Sequence, residues 1–97
     1  MIGWMQAFQS FAAGVIADVI RRQPPSPERT AFAWSVAAGP AMARAARVDA
    51  RDGVLVVTAK DARWAREIGR SRDMLLERVQ SLLGRDAVTS IDICVTQ

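Results

Sequence analysis

The middle of this chain sets two tryptophan-led helical segments either side of a tight turn and a strand, and few folds accommodate that order. Trp34-Ser35-Val36-Ala37-Ala38-Gly39 reads as a helix closing on a glycine. Arg51-Asp52-Gly53 reads as a turn, with Gly53 suited to the positive φ that two-residue hairpin loops demand. The apolar run Val54–Ala59 follows as a strand, predicted to be covered, or nearly so, on both faces. Arg63-Trp64-Ala65-Arg66-Glu67-Ile68 then returns to helical spacing. Helix, hairpin and helix in one short stretch imply a compact α+β module.

The flanks extend the pattern. Trp4, Phe8, Phe11, Ala12, Val15, Ile16, Val19 and Ile20 recur at three- and four-residue steps, an apolar stripe on a helix over about 3–22. Pro24, Pro25 and Pro27 end it in a short stiff linker. Ser26 is placed to cap a second helix, with Pro27 at its first position and Glu28 in its first turn. That helix is expected to reach about Arg44, with a kink or break at Gly39-Pro40. Its apolar face is read as Phe32, Val36, Ala37 and Met42, with Trp34 to one side but, like Trp64, expected in the core. Residues 47–50 form a weak strand. Asp61 caps one long helix to about Leu83, whose buried side carries Trp64, Ile68, Leu75, Val79, Leu82 and Leu83, and Gly84 closes it. A last strand over 88–95 turns Ile91, Ile93 and Val95 inward. The order is helix, helix, strand, strand, helix, strand, a two-layer α+β sandwich with a three-stranded sheet packed against helices. Ninety-seven residues make one domain over 1–97, with an N-terminal amphipathic helix over 1–22, a proline-rich linker over 23–27 and a core over 28–95.

Composition narrows the chemistry. The chain has no histidine and one cysteine, Cys94, so histidine-based triads, Cys-His nucleophiles, histidine-ligated zinc and an internal disulfide are excluded. Cys94 lies in an apolar run and reads as a half-buried strand thiol. No glycine-rich phosphate loop is present, and Asp49, Asp52 and Asp61 read as turn and cap residues. No enzymatic activity and no cofactor are therefore expected. The N-terminus lacks a basic region before its apolar stretch, and that stretch is interrupted by Gln6, Gln9, Ser10 and Asp18, so neither a secretory signal nor a membrane span is expected. A cytoplasmic protein fits these features.

The net charge is +3, but it is uneven. Between Arg44 and Arg72 there are eight cations (Arg44, Arg47, Arg51, Lys60, Arg63, Arg66, Arg70, Arg72) against four acids (Asp49, Asp52, Asp61, Glu67). Arg63, Arg66 and Arg70 are spaced to share one side of a helix, flanked by Lys60 and Arg72. Such a row can grip successive phosphates without reading sequence. The same arginines can instead form ordinary surface pairs, Arg63 with Glu67 and Arg70 with Asp73. Trp4, Phe8 and Phe11 are candidates for a partner-binding stripe, either for another protein or for a second copy, if the core leaves them uncovered. The oligomeric state left open by these features is a monomer or a weak dimer.

In this arrangement the chain resembles the DciA family. The family pattern is a Trp-x-x-hydrophobic-x-Gly helix, a glycine-led strand, a Trp-Ala-x-Glu helix start, a leucine-rich helix ending in Leu-Gly and a last strand. The matching residues are Trp34, Ala37, Gly39, Asp52, Gly53, Leu55, Val57, Trp64, Ala65, Glu67, Ile68, Leu75, Leu76, Leu83, Gly84, Val88 and Ile91. The resemblance implies a KH-like fold and a non-enzymatic role in bacterial DNA replication, helping to place the replicative helicase DnaB on single-stranded DNA. The Gly-x-x-Gly clamp of KH domains is absent. Two other readings stand beside this one: a protein–protein adaptor without nucleic-acid binding, and a KH-like RNA-binding module.

Overall fold

A computed structural model describes residues 11–96, with side chains from Val15 onward. Helix α1 (Phe11–Arg22) is followed by α2 (Pro27–Ala38), α3 (Pro40–Ala45), β1 (Ala46–Arg51), β2 (Val54–Ala59), α4 (Ala62–Arg70), α5 (Arg72–Leu83) and β3 (Ser90–Val95). The strands form one sheet in the order β1-β2-β3. β1 and β2 are antiparallel, while β2 and β3 are parallel and are joined by the two-helix crossover. The order and the α+β class are those read from the sequence.

Local chemistry accounts for most boundaries. The Ser26 hydroxyl accepts from the Arg29 amide and Pro27 opens α2. Gly39, at φ 87°, ends α2, and Pro40 starts α3 on a new axis, so the predicted interruption is a full break. Asp61 caps α4 by accepting from the Trp64 amide. In the hairpin, Asp52 (φ 51°) and Gly53 (φ 81°) both take left-handed conformations, as a tight two-residue loop needs. Gly53 is tied down further. Its carbonyl accepts from the Thr89 amide at 2.7 Å and the Thr89 hydroxyl at 3.2 Å, so the turn anchors the start of β3. A Cβ on Gly53 would meet Thr89 Oγ1 at 3.3 Å.

The helix expected over 61–83 is two helices. The chain breaks at Ser71, whose φ of −103° and ψ of 11° leave the helical region. The apolar spacing from Ile68 to Leu75 fits a continuous helix, so the cause lies in packing rather than periodicity. α4 packs mainly on β2 and β3, whereas α5 packs mainly on α1 and α2 and only lightly on β3. One straight helix could not serve both sets of neighbours. The final strand also starts at Ser90 rather than 88; Val88 is buried in the loop before it.

The five helices among the described residues lie on one side of the sheet or on one another. Leu55, Val57 and Ala59 of β2 are wholly buried, while Val54, Val56 and Thr58 alternate outward and are only half-buried. The expectation that both faces of β2 are covered is thus wrong: the second face is open, and Cys94 on it is exposed rather than half-buried. Within α2, Trp34 is 2% exposed, as a core residue, whereas Phe32, placed on the apolar face from sequence, is 54% exposed. Ala33 and Ala37 let α2 approach β1 and α5 closely, and Trp34 fills the space beside them; Phe32 points away from that line. Asp49 is neither cap nor turn residue but a strand residue paired with Arg51.

Three arginines clasp helix ends. The buried Arg78 on α5 donates to the Ala37 carbonyl near the C-terminus of α2 at 3.0 Å. Burial lowers its pKa from the usual arginine value. Arg29 donates to the Gln23 carbonyl after α1 and to the Leu83 carbonyl ending α5, and Arg21 donates to the Ser81 carbonyl. Cations at helix C-termini satisfy orphan carbonyls and suit the helix dipole.

Two outcomes test this account by urea unfolding. Gly53→Ala is expected to cost about 1–2 kcal/mol, because an L side chain resists the left-handed backbone and crowds Thr89. Arg78→Leu is expected to cost about 1–3 kcal/mol by stranding a buried carbonyl, whereas the exposed Arg63→Leu should change stability by less than about 0.5 kcal/mol.

Candidate nucleic-acid interface

The side chains that could meet a partner follow from the two faces of the frame. On α4, Ile68 is buried and Trp64 and Ala65 pack against the core, so the helix is anchored along one stripe. At 3.6 residues per turn, Arg63, Arg66 and Arg70 fall within about 60° of arc on the opposite side. All three are exposed. From Arg63 to Arg70 the row rises about 10 Å along the helix axis. Trp64 is half-buried at the edge of the core, where it fixes the rotation of α4.

The five cations picked from sequence do not all join. Lys60 is exposed in the link before α4, its amide donating to the Ala45 carbonyl at 2.8 Å. Arg72 is exposed on α5, beyond the break at Ser71, so it belongs to a different helix from the row. The pairing also differs from expectation. Arg70 Nη1 bonds Glu67 Oε1 at 3.1 Å, rather than Arg70 pairing with Asp73 or Arg63 with Glu67. Among the described residues, Arg63 and Arg66 make no ion pair.

Arg44 lies on α3, and Arg47, Asp49 and Arg51 of the basic segment fall on the open sheet face. Strand register aligns Arg47 with Thr58 and Cys94, Asp49 with Val56 and Asp92, and Arg51 with Val54 and Ser90. Two arginines there are balanced by two aspartates, and Arg51 is already bonded to Asp49 at 2.6 Å. The sheet face is therefore nearly neutral, while α4 carries three arginines against one glutamate. The alternation Arg47, Asp49, Arg51 against Ala46, Val48, Ala50 is the sequence signal for this open face.

An apolar surface lies on α1. Ala17 and Ile20 turn into the core, while Val15 (47%) and Val19 (50%) stay exposed. α1 packs mainly on α5, and among the described residues nothing covers its outer side. Trp4 and Phe8, assigned to this stripe from sequence, lie outside the described residues, as does the side chain of Phe11. A groove of about 440 Å³ between α2, α3 and β1 is lined by Ala31, Trp34, Ala43 and Val48 with Glu28 and Arg47 at its rim, and none of the five cations reaches it. Among the described residues no three His, Cys, Asp or Glu side chains gather as a metal site, and no helix is long and apolar enough to cross a membrane.

An α+β frame that presents a cationic helix and an apolar helix outward has the surface of a binding module. Comparison with family models gives a match to DciA, described as the Dna[CI] antecedent, over residues 7–93. The match covers nearly the whole chain, and the chain belongs to the DciA family. Membership implies a loader-type role at the replicative helicase DnaB in DNA replication. Comparison with curated proteins and with solved structures gives no match.

Proposed function

We propose that this protein is a non-enzymatic accessory factor of the replicative helicase that holds single-stranded DNA by its phosphates. The observation that carries the reading is the row Arg63, Arg66 and Arg70 on the solvent side of α4, anchored from behind by Ile68 and Trp64. Lys60 and Arg72 add charge at either end. Guanidinium groups on a rigid helix meet phosphate oxygens without ordering a loop first, and such contacts carry no base information. Binding of this kind releases counterions, so affinity falls as salt rises. Family membership supports the helicase as the protein partner.

A second reading draws on α1. Val15 and Val19 are half in solvent on a helix with few neighbours, and Phe32 on α2 is exposed as well. Val15 and Val19 supply an apolar surface for a protein contact, continuous in sequence with Phe11, Phe8 and Trp4. In this reading the chain is an adaptor and the arginines are solvated surface.

Fluorescence anisotropy of labelled single-stranded DNA separates the two. The phosphate reading expects binding that weakens from low to physiological salt and is abolished when Arg63, Arg66 and Arg70 are all replaced by Glu, with thermal unfolding unchanged. Binding retained by that variant would refute the surface assignment. For the adaptor reading, Val15→Asp with Val19→Asp is expected to cut helicase capture in a pull-down at least several-fold and to leave DNA binding alone.

A further inference from the structure

Glu67 stands inside the arginine row, and we propose that it restrains the row's grip on phosphate by keeping Arg70 engaged. The inference rests on the reading of α4 as a phosphate-binding surface. Helical geometry puts Glu67 about 40° from Arg63 and about 60° from Arg70 around the axis, on the same solvent face. Its Oε1 lies 3.1 Å from Arg70 Nη1, and both side chains are at least half exposed. An approaching phosphate therefore meets three guanidinium groups and one carboxylate, and it must draw Arg70 from a partner it already has.

Nothing in the packing requires Glu67. It caps no helix end, and among the described residues its side chain bonds only Arg70. A solvated pair of this kind adds little to folding. Its effect falls instead on what Arg70 can do for a ligand, since the carboxylate both occupies a guanidinium edge and repels a second anion. The other two exposed pairs, Asp18 with Arg22 and Asp49 with Arg51, lie on α1 and β1 and leave the row untouched. The row thus acts as two unencumbered arginines and one held in reserve.

The test uses the full chain, a fluorescein-labelled oligothymidine and a salt series. Glu67→Gln keeps the size and polarity of the side chain and removes its charge. It is expected to bind roughly three- to fivefold more tightly than the parent at low salt, a gain set by the strength of a surface pair. The slope of log affinity against log salt should steepen by about 0.7, the value for one more phosphate contact on a single strand. Glu77→Gln, an equal charge change at an exposed position of α5, is the control and should leave affinity within about twofold of the parent. In an Arg70→Ala background the Glu67→Gln gain should shrink to the part that comes from direct repulsion of phosphate, the coupling expected of residues that touch; an undiminished gain would overturn the role of the Glu67–Arg70 pair.

If the parent binds and Glu67→Gln binds no better, or if Glu77→Gln gains as much, the role of Glu67 is overturned while the row keeps its assignment. If parent and Glu67→Gln both fail to bind at low salt, the phosphate reading of α4 falls and the role of Glu67 falls with it. Circular-dichroism melting of each variant excludes loss of fold as the source of a weaker signal.

Discussion

Everything in this fold hangs on β2 being the middle strand with one wet face. Its backbone is paired on both sides, antiparallel to β1 and parallel to β3. Leu55, Val57 and Ala59 point to the helices and are sealed, so the helices have a fixed floor to stand on. The parity of a strand then decides the rest: a residue whose neighbour is buried must look the other way. That single rule sends Arg47, Asp49 and Arg51 to the open face and keeps the hairpin's charge away from the helix layer.

The arginines divide by what surrounds them, not by number. Arg21, Arg29 and Arg78 spend their donors on carbonyls at helix ends and serve the fold. Arg22, Arg51 and Arg70 face carboxylates a few residues away. Among the described residues Arg44, Arg47, Arg63, Arg66, Arg72 and Arg85 have neither constraint, and of these Arg63 and Arg66 share one solvent face of a helix with Arg70, which is the basis for reading α4 as a contact surface. A count of basic residues treats all of these alike, although the buried Arg78 could not reach a ligand without unfolding the joint between α2 and α5.

The sequence carried the order of elements well because each boundary has a local chemical cause. Ser26-Pro27, Gly39-Pro40, Asp52-Gly53 and Asp61 each act through their own backbone geometry or side-chain cap, and each appears where local rules place it. The misreadings share the opposite origin. The break at Ser71 comes from α4 and α5 facing different partners. The exposure of Phe32 comes from α2 turning Ala33 and Ala37 to its neighbours, with Trp34 beside them. Both depend on neighbours distant in the chain, which periodicity does not contain. The arginine row was legible because it needs only helical spacing, while the Glu67–Arg70 pair was not, since several i,i+3 and i,i+4 partners were equally open to those side chains.

The Gly53 carbonyl bears on how the molecule assembles in time. The hairpin of β1 and β2 closes over two residues, a local event on the microsecond scale. Pairing β3 beside β2 means closing a segment of thirty residues, 60–89, at an entropic cost of about 3 kcal/mol for a flexible loop. Thr89 lands on Gly53 at the end of that closure, so the tip of the early hairpin is the mooring point for the late strand. The turn that begins the sheet is thus also where the sheet is completed, and folding speed should be more sensitive to the crossover's length than to the hairpin it returns to.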